Sequence, residues 1–173
     1  MFSKISNFLF LFFFCLSLSN LSQAIEPDIF VQSTVNRASQ TLNKDISKKE
    51  KMLELQELAK DTVDIKGIGF YTLGKYRKEI SDDQKAQYSE LFEDYFLKSF
   101  SSRLSEYTNP EIDVLSKKVL SENYTIVNSV LKGTTERPEV KIDWRVYTKN
   151  KDNPLIRDLI IEGLSLARTQ REE

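Results

Sequence analysis

Two aspartates, Asp143 and Asp158, and four tyrosines, Tyr71, Tyr76, Tyr88 and Tyr95, have the side-chain types for acid–base work. A carboxyl group lodged in an apolar site beside phenolic donors can take or give a proton at neutral pH. The aspartates fall in segments of strand character and the tyrosines in earlier, helical ones, so only the fold can bring them together. The other reading of Asp158 is a capping or paired carboxylate. The chain contains no histidine, which removes the commonest general base and any serine–histidine–aspartate triad. Its one cysteine, Cys15, lies in an apolar N-terminal run. The remainder therefore has no thiol nucleophile, no disulfide and no Cys/His zinc site. A second chemistry is anion contact. Lys75, Arg77 and Lys78 cluster ahead of Ser81 and could meet an anionic group or an acidic surface, or form a solvated helix end. Gly67-Ile68-Gly69 is not a phosphate loop, since neither a strand-to-helix turn nor a Gly-Lys-Ser/Thr ending accompanies it. No cofactor and no metal are expected.

The third chemistry is solvation of apolar matter, and one stretch carries it. Tyr88, Leu91, Phe92, Tyr95, Phe96, Phe100, Leu104 and Tyr107 recur along one side of a 3.6-residue helix. Ser81 is its N-cap, Gln84 completes a capping box, and Asp82 and Asp83 sit at the positive end of the dipole. Asn109-Pro110 stops it. A helix with this bulk on one face must cover a large apolar surface, either a core or the wall of a cavity.

The elements around that helix fall into two halves. Asp28 to Asn43 and the segment opened by Ser47, with Glu50 completing a second capping box, read as helices. Thr62 to Lys75 reads as a third, weakened by Gly67, Gly69 and Gly74 unless something packs closely against them. The second half changes period. From Pro138 to Tyr147, Val140, Ile142, Trp144 and Val146 alternate with Lys141, Asp143, Arg145 and Tyr147, the pattern of a half-buried antiparallel strand. Glu111 to Leu120, Tyr124 to Leu131 and Leu155 to Glu162 are further strands, with turns at Lys132 to Pro138 and Asn150 to Pro154. Gly163 ends the last strand, and Leu164 to Glu173 reads as a short helix. Helices followed by a four-stranded antiparallel meander predict one α+β domain, with the helices on one sheet face.

Met1 to Ala24 has the order of a secretory signal peptide: Lys4, an apolar run from Ile5 to Leu18, then Ser22-Gln23-Ala24. Cleavage is expected after Ala24, leaving residues 25–173 as the domain. Ser17, Ser19 and Asn20 cut the run short of the about 20 apolar residues of a spanning helix. Phe14 stands where a small residue would precede a lipidated cysteine. Losing the leader removes one lysine from 25 basic against 26 acidic residues, a net of −2. That balance argues against nucleic acid and against a protein adsorbed on membranes, both of which want a basic excess.

Three blocks resemble the MlaC family, periplasmic phospholipid-binding components of the Mla lipid-transport system, also called toluene-tolerance proteins. They are LGKYRKEISDDQKAQYSELFEDYFLKSF, SRLSEYTNPEIDVL and IRDLIIEGLSLARTQREE, in the family's order. Two departures stand out. Pro154 occupies the position of a family tryptophan, and the family continues past the position of Glu173 with a helical tail, so this chain is short or a fragment.

The resemblance implies a cone like that of nuclear transport factors, a curved sheet wrapped on helices around an apolar pocket for acyl chains. It implies an exported, periplasmic, monomeric carrier associated with an ABC transporter and serving outer-membrane lipid asymmetry. Its partners would be an outer-membrane lipoprotein–porin complex and an inner-membrane ABC transporter. The candidate lining is Phe70, Leu73, Phe92, Phe96, Phe100, Val140, Ile142, Trp144 and Val146; for each of these taken singly, plain core is the commoner role, and the resemblance is what favours a lining. Lys75, Arg77 and Lys78 are the candidate headgroup or partner contacts. Two other readings stand beside it: a small enzyme of the cone fold using the Asp/Tyr set, and a non-lipid interaction domain with a filled core.

Overall fold

The computed structural model describes residues 24–135 and 137–172. The expected leader, Ala24 apart, lies outside them. Five helices and a five-stranded sheet follow in the order α1 (Pro27–Asn43), α2 (Lys48–Thr62), α3 (Ile65–Thr72), a 3-10 turn (Gly74–Lys78), α4 (Asp82–Leu104), β1 (Ile112–Ser121), β2 (Tyr124–Leu131), β3 (Val140–Tyr147), β4 (Leu155–Ile161), β5 (Leu164–Ser165) and α5 (Leu166–Glu172). The strands run as an antiparallel meander in sequence order, curved and not closed into a barrel.

Local chemistry sets the helix starts. Ser47 and Ser81 each accept from a backbone N–H three residues on, and Glu50 and Gln84 reach back to the capping residues, so both capping boxes form. The expected single helix over Thr62 to Lys75 is divided in two. Val63 makes a bridge to Ile156, the Asp64 side chain caps α3 by accepting from the Gly67 N–H at 2.9 Å, and Gly74, at φ +55, breaks the helix after Thr72. The aromatic helix α4 also ends earlier than expected, at Leu104, and Tyr107 follows it in a turn. Its face is less uniform than the spacing implied, because Leu91 and Tyr95 are exposed. Leu97 and Ser101 are buried instead, and the Ser101 hydroxyl accepts from Gln56 on α2 at 3.1 Å.

The sheet has one strand more than expected. Glu162 (φ 49) and Gly163 (φ 83) form a two-residue turn with both residues left-handed, which folds Leu164–Ser165 back onto Ile160 and Ile161 before α5 begins. On β3 the alternation holds: Ile142, Trp144 and Val146 are buried and pair with Ser129, Val127 and Thr125 of β2. A bulge between Arg145 and Val146 shifts the β3–β4 register. Pro154, at the position of the family tryptophan, is fully buried ahead of β4.

Apolar clusters tie these layers together. Val31 and Val35 of α1 pack on Val127, Trp144, Val146 and Ile156 of the sheet. Ala59, Ile65, Ile68, Phe92, Leu97 and Ala167 join α2, α3, α4 and α5. Gly69 lets α3 come close to α4, since a Cβ there would lie 2.8 Å from the Phe92 ring. Gly69→Val is expected to destabilise the protein by about 1–3 kcal/mol, the usual cost of overpacking, despite the better helix propensity of valine. Urea unfolding followed by circular dichroism checks this; an unchanged midpoint would mean the contact yields freely.

Candidate functional site

Between the helices and the sheet lies a pocket of about 250 Å³. One side is α1 and α2, with Val35, Ala38, Leu42, Leu58 and Thr62. A second is the ring row of α4, Phe92, Phe96 and Phe100, continued by Leu104 and Tyr107. The third is the sheet, with Ile112, Leu131, Ile142, Trp144, Ile156, Leu159 and Ile161, and α5 closes the site with Leu166, Ala167 and Gln170. The rings follow one another up the helix at 6.2 Å (Phe92–Phe96) and 5.6 Å (Phe96–Phe100), so they present an almost unbroken apolar strip. Tyr107 and Leu166 are more than a third exposed, which marks where the pocket reaches the surface.

The buried polar groups of the wall have partners within the protein. Trp144 Nε1 donates to Ser129 Oγ at 2.8 Å, and that hydroxyl donates to the Ile142 carbonyl at 3.0 Å. Thr34 and Thr62 hydroxyls donate to the carbonyls of Phe30 and Leu58. The buried Asp158 carboxylate accepts from Ser165 Oγ at 2.6 Å and from the Ala167 N–H at 3.0 Å, and Arg145 stands 3.6 Å away. Among the described residues, no buried side-chain polar atom is left without a partner. A pocket of this kind dissolves hydrocarbon. Apolar cavities of about 150 Å³ already stay dry and take up apolar guests.

The acid–base set does not assemble. Asp158 lines the pocket, but Asp143 accepts from Asn128 Nδ2 at 2.7 Å, one position along β3 from inward-facing Trp144. Tyr71, Tyr76 and Tyr95 are exposed, and the Tyr88 hydroxyl is 2.7 Å from that of Thr72. Among the described residues, no group of three or more carboxylate, histidine or cysteine side chains could hold a metal.

Of the nine sequence candidates for the lining, Phe92, Phe96, Phe100, Ile142 and Trp144 border the pocket. The other four stand elsewhere. Phe70 lies under the Lys66 ammonium, 5.8 Å from its ring centre, and Leu73 ends α3. Val140 pairs with Leu131 at the start of β3, and Val146 is sealed by the α1 cluster. In the sequence, α1, α2 and α5 read as helices and are assigned no part in the lining. The signal for α1 was present in the spacing of Val35, Ala38 and Leu42.

Lys75, Arg77 and Lys78 are exposed on the 3-10 turn. Arg77 borders a second, separate cleft together with Arg145 and Arg157. Burial works against the charge of Arg157, but its hydrogen bonds to Tyr124 and Asp64 outweigh that and hold the guanidinium protonated above its ordinary range.

The same arrangement of helices on a curved meander occurs in the phospholipid-binding protein from Ralstonia solanacearum, solved in complex with a phospholipid. The TM-score is 0.72 at 16% identity, over 86% of this chain and 84% of that one. At that identity the likeness speaks for the fold. No curated protein matches the sequence at a significant level. The model of the MlaC protein family matches residues 32–173, which takes in all of the elements around the pocket except the first turn of α1; the chain belongs to the MlaC family.

Proposed function

We propose that the protein is a periplasmic carrier that holds phospholipid by its acyl chains in the pocket beneath α4 and passes it between membrane complexes. One observation carries the reading: a pocket walled by apolar side chains, with no buried side-chain polar atom among the described residues left without a partner. Such a wall needs nothing from its guest except hydrocarbon. Each buried methylene is worth about 0.8 kcal/mol, so acyl chains suffice for tight retention without headgroup contacts. Family membership and the phospholipid-bound neighbour support the same reading. Phe92, Phe96, Phe100, Ile142 and Trp144 are the lining residues we assign to the lipid.

Retention of that kind has a consequence. A lipid held by its chains leaves into water slowly, so transfer requires docking with a donor and an acceptor. We assign these roles to an outer-membrane lipoprotein–porin complex and an inner-membrane ABC transporter. Export by the leader, with cleavage after Ala24, places the domain between the two. The net charge near zero suits a shuttle that must not adhere to anionic leaflets. Catalysis has no assembled acid–base pair to work with, and the protein acts as a monomeric binder.

The protein purified from cells is expected to carry about one phospholipid, seen as a mass increment under native mass spectrometry and identified by extraction. Trp144 is the only tryptophan in the chain and borders the pocket, so delipidation should shift its fluorescence. A folded protein that is empty as isolated and takes up no phospholipid when offered it would refute the reading.

A further inference from the structure

The second cleft, of about 460 Å³, lies between α3, the 3-10 turn and the end of the sheet formed by the β1–β2 turn. Its walls are Tyr71, Arg77, Tyr124, Arg145 and Arg157, with Asp158 at its floor. Three arginines from three separate elements line one open space. Their donors are only partly used. Arg157 gives Nε to Asp64 at 2.6 Å and one terminal nitrogen to Tyr124 at 2.5 Å, and its Cζ lies 3.6 Å from the centre of the Tyr147 ring, which fixes its orientation. Arg145 has the ion pair with Asp158 at 3.6 Å, beyond hydrogen-bond reach. Arg77 is exposed, and among the described residues no partner is found for it.

From this geometry we infer that the cleft is a docking site for an acidic segment of a partner protein, whose Asp or Glu carboxylates reach Arg77, Arg145 and Arg157 in turn. The inference rests on the carrier reading, because a carrier needs a surface its donor and acceptor can grip. Guanidinium forks match planar carboxylates, and tyrosine faces on either side suit the flanking chain. A phosphate fits less well. The Asp158 carboxylate opposes a compact dianion more than it opposes spaced monoanions, and Asp64 already takes part of the charge of Arg157. The cleft also lies away from the Tyr107 side of the apolar pocket's opening. Ser121 and Tyr124 lie at one end of the β1–β2 pair, whereas Ile112 and Leu131 of the pocket lie at the other. A headgroup emerging beside Tyr107 is therefore at the wrong end. Only a wall containing Ile68, Asp158 and Ala167 separates the cleft from the lipid pocket.

The test uses the full mature chain and a fluorescently labelled hexaglutamate peptide, followed by anisotropy, with a hexaserine peptide as control. Hexaglutamate should bind, weaken as sodium chloride rises, and bind Arg77→Glu at least about fivefold more weakly. Arg77 is exposed and has no partner among the described residues, so that variant should keep its fold, whereas Arg145→Gln risks disturbing Asp158. No binding at low salt, equal binding of Arg77→Glu, or displacement of the peptide by inorganic phosphate at matched concentration would each overturn the proposal. The lipid content of the same sample, read by native mass, separates this failure from a failure of the carrier reading.

Discussion

Phe96→Asp is expected to strip lipid from the protein while leaving it folded. The Phe96 ring is half-buried, borders the pocket and stacks between Phe92 and Phe100. A carboxylate in its place can keep its water only while the pocket is empty. An acyl chain lying along α4 would bury that charge against hydrocarbon, at a penalty of several kcal/mol. Retention should fall at least about a hundredfold, the equivalent of about 2.8 kcal/mol. The cost to folding is smaller, because the replaced ring is only partly withdrawn from water in the folded protein. Phe92→Ala supplies the contrast. That ring is buried against Gly69, and its loss should cost about 3–5 kcal/mol of stability, so lipid disappears together with the fold. Native mass spectrometry reads the bound lipid and urea unfolding reads the fold on the same preparations. If Phe96→Asp stays folded and keeps its lipid, the lipid does not lie along α4. If both variants simply unfold, the stripe is ordinary core.

The contrast between the two phenylalanines shows what the sequence could disclose. Periodicity located the apolar face of α4, the two capping boxes located helix starts at Ser47 and Ser81, and the alternation from Val140 to Val146 located β3 and its inward side. These are local signals, written in residues that touch one another along the chain. What covers each face is not local. Val146 and Trp144 point the same way, yet α1 seals one and leaves the other at the pocket. The β4 wall was hidden for a sharper reason. Strict alternation from inward-facing Ile156 would send Leu159 and Ile161 outward. The bulge at Arg157 resets the register, so Leu159 pairs with Trp144 and Ile161 with Ile142, and both border the pocket. The same reset brings Asp158 opposite Arg145 and so helps to build the arginine cleft. No spacing rule in the sequence marks such a bulge in advance.

Asp158 also carries the second large expected effect. Its carboxylate sits between the two sites, with its side chain 2% exposed, and it holds the start of α5 through Ser165 Oγ and the Ala167 N–H. Asp158→Ala removes the acceptor for both donors in a place where water is largely excluded, and leaves Arg145 without its counter-charge. Each stranded donor costs about 1–3 kcal/mol. The lost ion pair adds little, since Arg145 is 41% exposed and its charge returns to solvent. A net loss of about 2–4 kcal/mol is therefore expected, with Asp158→Asn less severe because the amide oxygen can still accept from one of the two donors. The damage should be local before it is global. The other ties of α5 include Ala167 in the apolar cluster with Ile65, Ile68 and Phe92 and Arg171 over the Tyr71 ring at 5.2 Å, and its Leu166 and Ala167 close one side of the pocket. Hydrogen exchange in residues 164–172 should accelerate in Asp158→Ala more than exchange in β2 or β3, and lipid retention should fall in step with it. Uniform acceleration across the sheet would mean that Asp158 supports the whole core. Unchanged exchange in α5 would mean that the helix is held by its apolar contacts alone, and that the pocket does not depend on this carboxylate for its closure.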